Sequence, residues 1–150
     1  MEFYKDKPVF IASDSKQLKA AVAKYKGEVV PPYVVKISLR TKKVRKEAFM
    51  DDMTVGVVLL HDEVKEIGKF AFAGCKKMTE IVMDDSLEVI GFGAFEDCYA
   101  LTDVHIPDSV TKIRGAAFSG CKRLKTVRID NPKLLEKAGL EGKTKIVTKK

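Results

Sequence analysis

One spacing constrains this chain more than anything else in it: aromatic, thiol and branched side chains recur every 23 residues. Phe72, Phe95 and Phe118 form one such series, Cys75, Cys98 and Cys121 a second, and Ile67, Ile90 and Ile113 a third. Three segments align without a gap. They open at Val64, Leu87 and Val110 and close on Ile81-Val82-Met83, Val104-His105-Ile106 and Val127-Arg128-Ile129. One period earlier, Val44, Ala48, Phe49, Val55, Val58 and Leu60 fall at matching places, but Asp52 stands at the cysteine position. A further period back leaves only Val35 and Ile37, the strand part of a unit.

A period of this length describes one supersecondary unit that cannot bury its own apolar side chains and must stack on its neighbours. Alternation within the strand puts Val35 and Ile37, Val58 and Leu60, Ile81 and Met83, Val104 and Ile106, and Val127 and Ile129 inward. The residues between and beside them face outward. A 23-residue unit leaves room for the crossover that parallel strands require. The return holds only a short Ala-Phe-x-x-Cys turn among glycines, so it is expected to be a brief helical or 3₁₀ turn, or irregular.

The pattern Ile-Gly-x-x-Ala-Phe-x-x-Cys-x-x-Leu-x-x-Val-x-Ile-Pro-x-x-Val is most complete over residues 87–129, including Ile106-Pro107-Asp108-Ser109-Val110. It resembles the bacterial BspA-type leucine-rich repeat, which is also described for treponemal and protozoan surface proteins. Three departures stand out: Asp52 for the cysteine, Arg114 for the glycine, and Met83-Asp84-Asp85 without the proline. The resemblance implies a leucine-rich-repeat solenoid, with short parallel strands on one face and short returns on the other. It also implies adhesion or protein recognition, and it brings no catalytic residues.

The ends depart from the period. Residues 1–33 read as an N-terminal cap of strand, helix and strand. Residues 8–12 form the first strand, a helix capped at Ser13 or Asp14 runs to about Lys26 with Gly27 at its end, and Glu28-Val29-Val30 form the second strand. Leucine-rich repeats are expected over 34–130 in four to five coils, and a C-terminal cap over 131–150. In that cap a short helix follows Pro132 and a last strand covers 144–148, its edge protected by Lys149 and Lys150.

Catalytic and metal chemistry finds no foothold in these spacings. Thiols 23 residues apart lack metal-ligand spacing and fit an inward column of small hydrophobes. His61 and His105 are 44 residues apart, belong to no nucleophile motif, and are both expected outward. The pairs Asp51-Asp52, Asp62-Glu63 and Asp84-Asp85 lack a calcium loop's alternating ligands. No cofactor, metal or enzymatic role is therefore expected. The start, Met1-Glu2-Phe3-Tyr4-Lys5-Asp6-Lys7, has no apolar signal core. This points to a cytoplasmic protein, or to a secreted or surface one if a leader has been removed.

What remains is the outward sheet face, built from Val57, Leu59, Glu80, Val82, Asp103, His105 and Arg128. An apolar patch rimmed by charge is the usual mark of a protein-binding surface. The expected function is recognition of a protein partner there, as an adaptor or a blocking protein. Alternatively, the N-terminal segment covers these side chains. A second reading rests on the net charge of +7. Residues 1–50 carry net +7, 51–112 net −8 and 113–150 net +8, so the basic ends could bind an acidic surface or nucleic acid.

Overall fold

The computed structural model describes residues 1–38 and 40–148. In chain order its elements are β1 (Phe3–Tyr4), β2 (Lys7–Ala12), α1 (Ser15–Lys24), β3 (Tyr33–Ile37), β4 (Lys43–Val44), β5 (Val55–Leu59), β6 (Glu66–Ile67) and β7 (Glu80–Val82). There follow β8 (Val89–Ile90), β9 (Asp103–His105), β10 (Lys112–Ile113), β11 (Thr126–Arg128), a 3₁₀ turn (Pro132–Leu135) and β12 (Lys145–Val147). Successive coils stack in register, so that Ile67 pairs with Ile90 and Ile90 with Ile113. The expected solenoid of parallel strands is observed.

Stacking aligns like residues into columns. The rings of Phe49, Phe72, Phe95 and Phe118 lie within 9° of parallel at centroid spacings of 5.3, 5.7 and 5.3 Å. All four are fully buried, and each ring covers the apolar face of the next. The cysteines form a second column. Their thiols donate one coil back, from Cys75 to Phe49 O (3.1 Å), Cys98 to Phe72 O (3.2 Å) and Cys121 to Phe95 O (3.0 Å). Asp52, at the missing cysteine, accepts from the Ser15 hydroxyl (2.6 Å) and from Thr54, tying α1 to the first coil.

Of the forms expected for the returns, the helical one is not taken. Among the described residues they contain no helix; β4, β6, β8 and β10 form a four-stranded parallel sheet, each strand followed by a tight turn. Two left-handed positions per coil interrupt any helix. Glu47, Phe70, Gly93 and Ala116 have φ between 55° and 59°, and Asp51, Gly74, Asp97 and Gly120 between 57° and 74°. Turn amides that a helix would have satisfied internally donate instead to the following coil. Phe49 N–H reaches Ala71 O, Phe72 reaches Ala94 and Phe95 reaches Ala117, at 2.8, 2.9 and 2.8 Å.

The ends complete this pairing by other means. At the start, Ser15 N–H of α1 donates to Ala48 O. At the finish, the Lys137 and Ala138 carbonyls accept from Ala116 and Phe118. Helix α1 is capped by the Asp14 side chain, as expected, but stops at Lys24. Tyr25 turns extended there and sets its ring edge-on against Phe10 at 5.5 Å, so Gly27 does not cap it. Glu28-Val29-Val30 form no strand: Val29 packs on the core, Val30 is exposed, and the following prolines have no N–H to offer a ladder. Lys149 and Lys150, expected to protect the edge of β12, lie outside the described residues.

Candidate binding face

The strands that close each coil present two outward rows. Register places Val9, Val34, Val57 and Glu80 in one, with Asp103, Thr126 and Lys145 continuing it. Ile11, Lys36, Leu59 and Val82 form the other, continued by His105, Arg128 and Val147. The middle residues Val58, Ile81, Val104 and Val127 are buried, as alternation requires. All seven candidate residues thus lie on one surface. Among the inward residues, Met83 is only half-buried.

That surface is not uniformly open. Val9 and Val34 face outward, yet are only 4% and 2% exposed. Their cover is the N-terminal arm, since residues 2–5 cross this side of the sheet. Glu2 pairs with Lys36 on β3 (3.4 Å). The Tyr4 hydroxyl donates to Glu80 on β7 (2.8 Å), and the Lys5 ammonium contacts the same carboxylate (3.2 Å). These anchors sit on either side of β5, so the arm passes over its outward residues, and Val57 and Leu59 are half-buried. The N-terminal segment therefore covers part of this face. The arm takes the row from Val9 to Glu80 and leaves Val82, Asp103, His105 and Arg128 exposed.

Glu80 holds the Tyr4 phenol above its ordinary range, chiefly by accepting its proton in a hydrogen bond. The same carboxylate raises Lys5. The arm was hard to foresee because Lys5-Asp6 is a weak turn signal. Both residues adopt positive φ, 49° and 67°, where Asn-Gly would be the usual marker.

A second feature adds relief to the face. Strands β1, β2, β3, β5 and β7 form one sheet, and β9, β11 and β12 another. Leu60 N–H donates to Val82 O and Ile106 N–H to Arg128 O, but among the described residues no ladder joins β7 to β9. A groove of about 500 Å³ opens along this seam, bordered by Glu80, Val82, Asp103, His105 and Arg128. Its walls combine carboxylate, imidazole, guanidinium and aliphatic surface. The sequence gives no sign of it, because the repeat is equally regular on both sides.

His61 corrects an expectation. It is buried at 6% exposure rather than outward. Its Nδ1 accepts from Glu63 N–H (3.1 Å), the turn role that Asp84 plays one coil later towards Ser86. With Nδ1 accepting, Nε2 is left as the ring's donor, and it has no partner among the described residues. Among the described residues no group of three or more His, Cys, Asp or Glu could hold a metal ion. No helix among them is long and apolar enough to cross a membrane.

A family model described as a BspA type leucine-rich repeat region matches residues 42–140 in six copies. No curated protein matches the chain. Among solved structures it is similar to the pneumococcal vaccine antigen PcpA, at 29% identity and a TM-score of 0.60 over 62% of this chain and 23% of that one. A leucine-rich repeat protein from Bacteroides capillosus is 30% identical with a TM-score of 0.51, over 63% of each chain. A leucine-rich cell surface protein from Faecalibacterium prausnitzii shares the fold at 22% identity and a TM-score of 0.66, over 77% of this chain and 31% of that one. The chain thus spans less than two thirds of each.

Proposed function

Since the chain belongs to the BspA-type leucine-rich repeat family, whose modules commonly mediate protein interaction or adhesion, we propose that it is a non-catalytic protein-recognition module working through the outward face of its strands. On this reading it is an adaptor or a blocking protein, and Val57, Leu59, Glu80, Val82, Asp103, His105 and Arg128 form its binding face. The observation that carries the reading is the groove at the β7–β9 seam, which gathers five of these seven side chains. A concave strip with an aliphatic wall and both signs of charge suits an extended peptide segment better than a flat surface would.

The arm refines the proposal. By holding Glu80 through Tyr4 and Lys5, it occupies one bank of the groove, so a partner that uses Glu80 competes with residues 2–5. Capture from the source cell with the wild-type chain, the Val82→Arg variant and a chain lacking residues 1–6 tests both points. Val82 is 40% exposed, so its replacement should leave thermal unfolding unchanged while removing the captured protein. The arm deletion should increase capture. Equal capture by wild type and Val82→Arg would rule this face out.

A further inference from the structure

Folding redistributes the charges. Along the sequence they fall into basic, acidic and basic blocks, but in the solenoid they sort by position within the coil. The corners that precede β7 and β11 carry Lys76, Lys77, Lys122, Arg123 and Lys125, joined by Lys143 of the C-terminal segment, whereas Asp51 and Asp52 precede β5. The corners that follow β5, β7, β9 and β11 carry Asp62, Glu63, Asp84, Asp85, Asp108 and Asp130. There Asp62 sits so close to Asp84 that a hydrogen bond between their carboxyls, with their mutual repulsion, raises its pKa above the ordinary carboxylate value. From β7 to β11 one edge is thus cationic and the opposite edge anionic.

Three observations make the cationic edge more than a solvated face. Lys76, Tyr99 and Lys122 occupy one position in successive coils, and the two ammonium groups lie 5.4 and 5.3 Å from the Tyr99 ring centroid. None of the six cations has an ion-pair partner among the described residues, whereas Lys5, Lys36, Lys43 and Lys65 each have a carboxylate. Beside them opens a cleft of about 420 Å³ lined by Thr102, Lys122, Arg123, Leu124, Lys125 and Lys143. It contains four cations and a hydroxyl, no acid, and a lining that is largely lysine stem. Asp103 follows Thr102 in β9, and Asp97 and Glu141 act on the Cys121 thiol; none of the three lines the cleft.

We propose that this edge binds an acidic polysaccharide, a linear chain of sugar rings bearing sulfate or carboxylate groups, seated in the cleft at Lys122, Arg123, Lys125 and Lys143. The cations supply the charge. The lysine stems suit the C–H faces of the rings, as long side chains do when only their tips need water. Single-stranded nucleic acid is disfavoured because base stacking needs an open aromatic face, and two ammonium groups already lie over the Tyr99 ring. A stiff sugar chain also loses less conformational freedom on binding than an acidic peptide does. The cleft adjoins the β7–β9 groove at Thr102, but none of its four cations lines that groove.

The test uses the full chain with heparin as the sulfated polysaccharide, uncharged dextran as a control, and single-stranded DNA at matched charge. The variants are Lys122→Glu with Lys125→Glu, and Lys19→Glu with Lys24→Glu on the exposed side of α1, which change the net charge equally. Heparin should bind with strong salt dependence, weakening by about tenfold or more in the first variant and much less in the second. Dextran should not bind. Equal losses in both variants, no heparin binding, or DNA binding as tightly as heparin would each overturn the proposal.

Discussion

At each buried thiol, three influences meet: a carbonyl that takes the S–H, apolar rings around it, and no water. Burial pushes Cys75 and Cys121 up to about 12 and raises Cys98 well above its ordinary 9.0. The sign of the stability effect follows. Below pH 9 folded and unfolded chains both keep these protons. Between 9 and about 12 the unfolded chain releases them while the folded chain does not, so stability falls as pH rises through that window. Urea unfolding at pH 7 and pH 10.5 should therefore show a larger loss for wild type than for Cys75→Ala with Cys121→Ala, in which the shared lysine background cancels. Equal losses would contradict the assignment. These columns were legible in the sequence because the period itself announces them. His61 was not, because it shares its turn duty with Asp84, and only alignment by coil position, not alternation, could have revealed that an imidazole was standing in for a carboxylate.

Individual elements are governed by their left-handed corners. Of the residues at the first such position, Gly93 alone is suited to it by lacking a Cβ, and a side chain there would collide with the Phe70 ring. Ala116 holds the same conformation with φ 57° at a cost of roughly 1–2 kcal/mol. Glycine there would remove that strain and lose roughly 0.5–1 kcal/mol to the freer unfolded chain. Ala116→Gly should thus stabilise the protein slightly, raising the unfolding midpoint by about 1–3 °C in calorimetry. A lower midpoint would mean that the Ala116 methyl contributes packing that outweighs its backbone strain. The sequence hid this geometry because glycine marks the corner in only some coils. Helical, 3₁₀ and irregular returns all stayed open because the local pattern Ala-Phe-x-x-Cys fits a helical turn as well as it fits the observed one. That the N-terminal segment covers the face was one reading of the sequence, but the turn that lays it there was hidden for a similar reason, being built from Lys5-Asp6.

For the whole molecule, the segment after β11 covers the end of the stack. Leu135 and Ala138 are buried, and the carbonyls of Lys137 and Ala138 take the last turn amides. Removing residues 132–150 would bare the Phe118 end of the aromatic column, leave those amides unpaired and expose the edge of β11. Such a chain should be recovered mainly as aggregate, as size-exclusion chromatography would show; a well-folded monomer would argue that the last coil needs no cover. The architecture of the stack was readable from its period, while the seam on its outward face was not, since the 23-residue spacing runs through residues 64–109 without insertion and only the missing proline at Asp84 marks the place.

That seam has a mechanical consequence. At the same boundary the return side stays bonded, with β6 paired to β8, Phe72 stacked on Phe95, and Cys98 bridging to Phe72 O. The two halves of the molecule are therefore bound like pages along a spine, joined at one margin and unlaced at the other. Tilting one half against the other strains the fewest backbone bonds when it turns about that spine. The first dimension such a tilt alters is the width of the groove between Val82 and His105.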